Sequence, residues 1–241
     1  MNPFDLTIFH FLNSFAQRSQ TVDLVITHLM ESGLTTGAVI MGLYWTAWEV
    51  EGKDNPEKRE ILLSGLFVSI FSIFVARFFA LTLPFRVRPM NDPDSGARIV
   101  QGITPEHLIN WSSFPSDHAT LFICLAAVLW MVSRRLGTIA ILHALLVVDL
   151  PRIYAGVHYT TDILAGTVLG IAVASLVQIR RLRSALASPV VSWKEAYPNL
   201  FHICFFLCIF EIAELFDTVR SVGSYAIRAM HLTHIASRFV H

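Results

Sequence analysis

Charge is scarce in this chain. Only 15% of its 241 residues are Asp, Glu, Lys or Arg, the two signs cancel at 18 each, and just three are lysines, Lys53, Lys58 and Lys194. No basic block is interleaved with aromatics, which argues against a nucleic-acid partner. Cysteine is equally sparse. Cys124, Cys204 and Cys208 all fall in apolar runs, where small buried hydrophobes are expected rather than disulfides or metal ligands. The amino terminus lacks the charged start, short apolar core and small-residue cleavage site of a signal peptide, so insertion through the chain's own spans is expected. No internal repeat or hinge splits the sequence, and residues 1–241 are expected to form one domain.

What the chain has is apolar length. Hydrophobic residues make up 54% and the mean hydropathy is +0.56, the composition of a polytopic membrane protein. A helix needs about 20 predominantly apolar residues to cross a bilayer. Six segments qualify or come near: 34–50, 61–83, 117–133, 137–155, 160–179 and 199–217. The expected fold is therefore all-α, a six-helix transmembrane bundle. Residues 4–31 are also apolar, but Asp5, His10, Asn13, Gln17, Arg18, Gln20 and Asp23 interrupt them. Residues 1–33 are expected to form one or two amphipathic helices lying in the interface, and residues 218–241 a carboxyl-terminal tail.

Orientation follows from the basic residues beside the spans. Lys53, Lys58 and Arg59, then Arg134 and Arg135, then Arg180, Arg181, Arg183 and Lys194 fall in alternate loops, which parity places on the cytoplasmic side. Trp45, Trp48, Trp130 and Trp193 cluster toward that boundary, and both termini face outward.

The same parity gathers the unusual polar residues on the other face. LPFRVRP (83–89) ends the second span, FPSDH (114–118) opens the third, PRIYAGVH (151–158) ends the fourth and HYTTD (158–162) opens the fifth. Arg86, Arg88, Ser116, Asp117, His118, Arg152, His158 and Asp162 thus share one layer. Arginine forks match phosphate oxygens, and Ser116 at a helix start favours an anion. His158 and Asp162, four apart, read as sharing one helix face, where a carboxylate holds the imidazole in one tautomer and leaves the other nitrogen free to attack. His118 supplies a second imidazole for proton transfer. Taken singly, Arg88 also reads as a snorkelling residue and Ser116 as an N-cap. A serine-hydrolase triad is excluded by the adjacency of Ser116, Asp117 and His118 and by the lack of a G-x-S-x-G elbow.

These residues resemble the type 2 phosphatidic acid phosphatase family, relatives of vanadium haloperoxidases and glucose-6-phosphatase. Its motifs are K-x6-R-P, P-S-G-H and S-R-x5-H-x3-D. Here stand Arg88-Pro89, Pro115-Ser116-Asp117-His118 and Arg152-x5-His158-x3-Asp162. The resemblance covers roughly residues 61–180. It implies a phosphatase without metal or other cofactor, acting on a phosphorylated lipid among membrane lipids. It implies His158 as nucleophile, Asp162 as its orienting acid, and His118 as proton donor and later base. Arg88, Arg152, Ser116 and the Asp117 amide are implied to bind the phosphoryl oxygens.

Three positions depart from the motifs. Leu81 takes the lysine's place, so Arg77 or Arg86 is expected to supply the missing cation, Arg77 being preferred. Asp117 replaces glycine, a variant resembling bacterial undecaprenyl diphosphate phosphatases. Pro151 replaces serine and is expected to kink its helix. Around this set, Asp149 is a candidate partner of Arg152, and Glu214, with Glu211 in the sixth span, a candidate partner of Arg77. The segment from Met90 to Ser113 is long enough to cap a pocket. His231 and His234 form an isolated His-x-x-His.

The leading expectation is hydrolysis of undecaprenyl diphosphate to undecaprenyl phosphate at the outer face of the plasma (inner) membrane, facing the periplasm or exterior. Phosphatidate, phosphatidylglycerophosphate or lipid A as substrate, phosphotransfer through the same pocket, and a non-catalytic lipid-binding or transport protein stand as alternatives.

Overall fold

The computed structural model describes residues 2–215; the expected carboxyl-terminal tail, with His231 and His234, lies outside them. All the regular elements described are helical. They are α1 (Pro3–Asn13), α2 (Gln20–Glu31), α3 (Leu34–Glu51), α4 (Pro56–Thr82), α5 (Asp117–Val132), α6 (Arg134–Tyr154), α7 (Thr160–Gln178), α8 (Arg180–Ala196) and α9 (Pro198–Ala213). The expected spans coincide with α3 to α7 and α9 to within a few residues. Three of them, α4, α6 and α7, are long and apolar enough to cross a bilayer, and α2 with α3 makes a fourth if that pair, bent by 68°, counts as one span. The chain is a membrane protein.

The count of six is not reached on length alone. Helices α5 and α9 have 16 residues each, about 24 Å at the α-helical rise, against roughly 30 Å of hydrocarbon. Helix α5 is apolar all round, and every residue from Ala119 to Ala126 is buried, which marks it as the axis of the bundle rather than a lipid-facing span. Along α4, Phe67, Phe71, Phe74 and Phe78 are exposed, as a face toward lipid requires.

Small residues set the closest contact in the bundle. A Cβ placed on Gly166 of α7 would lie 2.5 Å from the Ser116 carbonyl oxygen, and one on Gly170 would lie 2.6 Å from that of Thr120. Only a hydrogen fits there, so α7 rests directly on the α5 backbone. That approach lets the Ser116 amide donate to the Asp162 carbonyl at 3.1 Å.

Some expectations change in detail. Residues 180–194 do not form a loop but most of α8, tied to α4 by Arg183–Glu57 at 2.8 Å. Arg59 and Lys194 sit over the Trp48 ring, and Arg134 over Trp130. Cys124 is buried, but Cys204 is exposed on α9; all three cysteines are free. Pro151 is accommodated by a wide π-helical stretch, Ala144–Asp149, just before it, which moves the backbone register ahead of the missing N–H.

Several polar residues of α1 and α2 are turned into the protein. Asp5, Asn13 and Asp23 are buried and act as pins: the Asn13 amide donates to the Tyr154 and Arg98 carbonyls at 2.8 and 3.0 Å, and the Tyr154 hydroxyl donates to Asp23 at 2.7 Å. The Thr27 hydroxyl donates to the Gln101 carbonyl at 2.8 Å. The two amino-terminal helices therefore hold down the long connection between α4 and α5.

Replacing Gly166 by leucine is expected to cost about 1–3 kcal/mol through overpacking and to separate Ser116 from Asp162. Thermal unfolding in detergent, compared with an exposed control such as Leu164→Ala, checks this.

Candidate active site

The site lies where α4, α5 and α7 end together. After α4 the chain runs extended through Arg86 and Arg88 and turns at Pro89–Asn91. Arg88 is only 6% exposed, and its fork is held by the carbonyls around it. Nε donates to Trp111 at 3.2 Å, Nη2 to Ser112 at 3.3 Å and Nη1 to Val157 at 2.9 Å. Burial lowers the guanidinium's pKa, and nearby Asp117 and Asp162 offset part of that effect. Nη1 also reaches the His158 Nε2 at 3.4 Å.

His158 is 2% exposed and does not belong to a helix. It follows Gly156, whose φ of +73° turns the chain back from α6 and suits a residue without a Cβ. The His158 Nδ1 lies 2.8 Å from the Ser113 carbonyl oxygen. A carbonyl can only accept, so Nδ1 carries the proton and Nε2 presents its lone pair. Arg88, which can only donate, imposes the same tautomer from the other side. Burial, then the Arg88 charge, lower the imidazole pKa from its ordinary 6.5, with Asp162 pulling the other way.

The relation between His158 and Asp162 differs from the helical pairing expected. Asp162 stands in the first turn of α7 and caps it, its Oδ2 accepting from the Tyr159 amide at 2.8 Å. Its distance from the His158 Nδ1 is 3.7 Å, within range of charge attraction but beyond a hydrogen bond. Ser113, which the sequence reading did not single out, makes that bond instead. Nothing in the sequence points to it, because the contact is to a backbone carbonyl in an irregular loop.

A cavity of about 530 Å³ opens in front of these groups, lined in part by Arg77, Arg88, Asp117, His118 and His158. Arg77 reaches it from α4 and donates to Asp117 Oδ2 at 2.5 Å, stacked 4.7 Å from the Trp111 ring. Leu81, at the position of the motif lysine, is 82% exposed. The Asp117 Oδ1 lies 3.2 Å from His118 Nδ1. Glu214 lines the cavity too, but the expected Glu214–Arg77 ion pair is not formed among the described residues, since Asp117 occupies Arg77. Leu108 and Trp111 supply the cavity wall from the Met90–Ser113 segment.

Three expected ligand residues do not line this cavity. Ser116 is fully buried and caps α5, accepting from the Ala119 amide at 3.3 Å. Arg152 is buried and donates to the Val148 carbonyl and, at 3.2 Å, to that of Met30; it is near enough to His118 to act on it electrostatically. Asp149 is buried without a hydrogen bond, so it does not steer Arg152 through one. Arg86 turns away, to Asp162 at 2.5 Å and Asp5 at 2.7 Å. Among the described residues no cluster of three His, Cys, Asp or Glu is arranged to hold a metal ion.

The PAP2 superfamily model matches residues 60–184, which is more than half of the chain and takes in Arg77, Arg88, Asp117, His118 and His158 of the cavity wall. The chain belongs to the PAP2 superfamily. Among individual relatives, the chain is 38% identical over 66 residues to the bacitracin transport permease protein BcrC of Bacillus licheniformis, a match covering 27% of this chain and 32% of that protein's length. It is 23% identical to the lipid A 1-diphosphate synthase of Escherichia coli K12, over 68% of this chain and 70% of the relative. It is 22% identical to the undecaprenyl-diphosphatase BcrC of Bacillus subtilis 168, over 70% and 80%. Aquifex aeolicus LpxE, known from a crystal structure, is 23% identical with a TM-score of 0.49, over 73% of this chain and 98% of that one.

With ¹⁵N-labelled histidine, the His158 ring is expected to show a protonated Nδ1 and a bare Nε2 and to titrate below pH 6.5. Arg88→Met, which removes a repelling cation, should move that titration upward. A protonated Nε2 in the neutral ring would contradict the assignment.

Proposed function

We propose that this chain is a metal-independent phosphatase of membrane lipid phosphates, and that undecaprenyl diphosphate, cleaved to undecaprenyl phosphate, is its substrate. The carrying observation is the His158 ring, fixed by the Ser113 carbonyl with Nε2 beside Arg88 on a cavity that His118 also lines. A buried imidazole with its proton pinned on one nitrogen is a prepared nucleophile.

The chemistry runs in two steps. His158 Nε2 attacks phosphorus, forming a P–N bond as the bond from phosphorus to the leaving oxygen breaks, and protonated His118 gives its proton to that oxygen. Water then attacks the phosphohistidine, losing a proton to His118, and phosphate leaves as the P–N bond breaks. Arg88 and Arg77 stabilise the equatorial oxygens, with Arg152 adding its charge from beneath. Arg77 takes the role of the motif lysine, since its guanidinium lines the cavity and phosphate can compete with Asp117 for it.

In the membrane, α3 to α7 and α9 serve as the six spans, the short ones crossing within the bundle, while α1 and α2 lie at the outer interface. The basic residues of α8 and of the turn before α4 mark the cytoplasmic side. The cavity then faces the periplasm or exterior of the plasma membrane. Similarity to an undecaprenyl-diphosphatase over 80% of its length supports this substrate. Similarity to a lipid A 1-diphosphate synthase over 70% of its length supports a second reading, transfer of the phosphoryl group to a lipid acceptor.

Purified protein in detergent, with chelator present, is expected to release phosphate from undecaprenyl diphosphate faster than from phosphatidate or phosphatidylglycerophosphate. His158→Ala should abolish release, and Arg77→Leu should lower kcat/KM by about 10–100-fold with partial recovery in Arg77→Lys. Full activity in His158→Ala would sink the mechanism. Label moving from diphosphate to a second lipid instead of water would select the transferase.

A further inference from the structure

Asp5 lies in the first turn of α1, some 157 positions from Asp162 in sequence, yet it is only 1% exposed. Its Oδ1 accepts from the Thr161 amide at 2.8 Å, and its Oδ2 from the Thr161 hydroxyl at 2.7 Å and Arg86 Nη2 at 2.7 Å. The other end of the same guanidinium, Nη1, donates to Asp162 Oδ1 at 2.5 Å and to the Thr161 hydroxyl at 2.7 Å. The plane of Arg86 is stacked 4.5 Å from the Tyr159 ring. Asp162, fully buried, thus offers one oxygen to Arg86 and keeps the other on the side of His158.

From this geometry, and resting on the reading of His158 as nucleophile, we infer that Asp5 is a positioning residue for the phosphoryl-transfer step, acting on His158 through Arg86 and Asp162. Two carboxylates share one guanidinium, so the triad carries a net −1, which the imidazolium formed when His158 takes up the phosphoryl group neutralises. Without Asp5, Arg86 alone cancels Asp162, and the new positive charge on His158 meets a neutral neighbour. In a buried site such a charge is poorly screened. The same contacts fix geometry, because Asp5 holds the Thr161 backbone and Arg86 holds the carboxylate that caps α7.

The amino-terminal segment is built to deliver this residue. Phe9 of α1 is fully buried against Ile153, Ile163 and Ala119, and Asn13 pins the helix end to Tyr154 and Arg98. Docking of α1 thus brings the Asp5 carboxylate to Arg86 and Thr161.

The test is Asp5→Asn in the full-length protein, which keeps the shape and removes the charge, assayed on the lipid that wild type hydrolyses and His158→Ala does not. The expected result is a 10–100-fold fall in kcat with KM and orthovanadate inhibition within about twofold, and no further fall when Asp5→Asn is added to Arg86→Met. Asn13→Ala, which loosens α1 without touching the triad, should lower the melting temperature and leave kcat of the folded protein near wild type. An unchanged kcat in Asp5→Asn, or a fall that is additive with Arg86→Met, overturns the inference. If Asp5→Asn does not accumulate, Asp5→Glu carries the test: kcat within about threefold of wild type supports the charge relay, and a loss as large as about a hundredfold overturns it. Activity surviving in His158→Ala would instead remove the nucleophile itself, an outcome distinct from failure of the Asp5 relay.

Discussion

Everything at the cavity depends on how a buried guanidinium is kept charged. Arg88 has left water almost completely, a costly state that carbonyl acceptors must offset. Trp111, Ser112 and Val157 supply them. To present those carbonyls, the connection before α5 and the turn after α6 must converge on one point. That convergence also delivers the Ser113 carbonyl to His158, so the arginine's solvation and the histidine's tautomer come from one piece of backbone.

The bundle beneath supplies the rigidity this requires. Helix α5 is enclosed on every side, and α7 touches it backbone to backbone through Gly166 and Gly170. Their starts are consequently locked together, Ser116 to Asp162, and the groups at those starts cannot drift apart. An irregular loop can then hold buried ionisable groups because helices surround it. The amino-terminal helices complete the enclosure by pinning the loop at Arg98 and Gln101.

Charge is distributed in two tiers. Facing the cavity are Arg77, Arg88, Asp117, His118 and His158. Behind them stand Asp162, Arg86 and Asp5, each bonded to the next. Arg77 and Arg86 both lie near the motif's missing lysine in sequence, and the structure sends them to opposite tiers: Arg77 leaves a helix face toward the cavity, whereas Arg86 stands in the extended segment after α4 and its side chain is directed at α1 and α7.

The sequence by itself determined the apolar helices α3 to α7 and α9, because long apolar runs must become helices when no water can satisfy the backbone, whereas α8, which is polar, read as a loop. It also singled out Arg88, His118, His158 and Asp162 together, and the structure brings the first three to one cavity with Asp162 behind His158. Tertiary structure alone decided the bonds between them. His158 and Asp162 are four apart, yet the helix begins between them and the hydrogen bond goes to Ser113. Asp5 read as a residue breaking an apolar stretch, and only docking of α1 turned it inward. Both outcomes rest on long-range contacts, to a backbone carbonyl in one case and from α1 to Arg86 and Thr161 in the other, and neither leaves a local periodicity that a sequence could display.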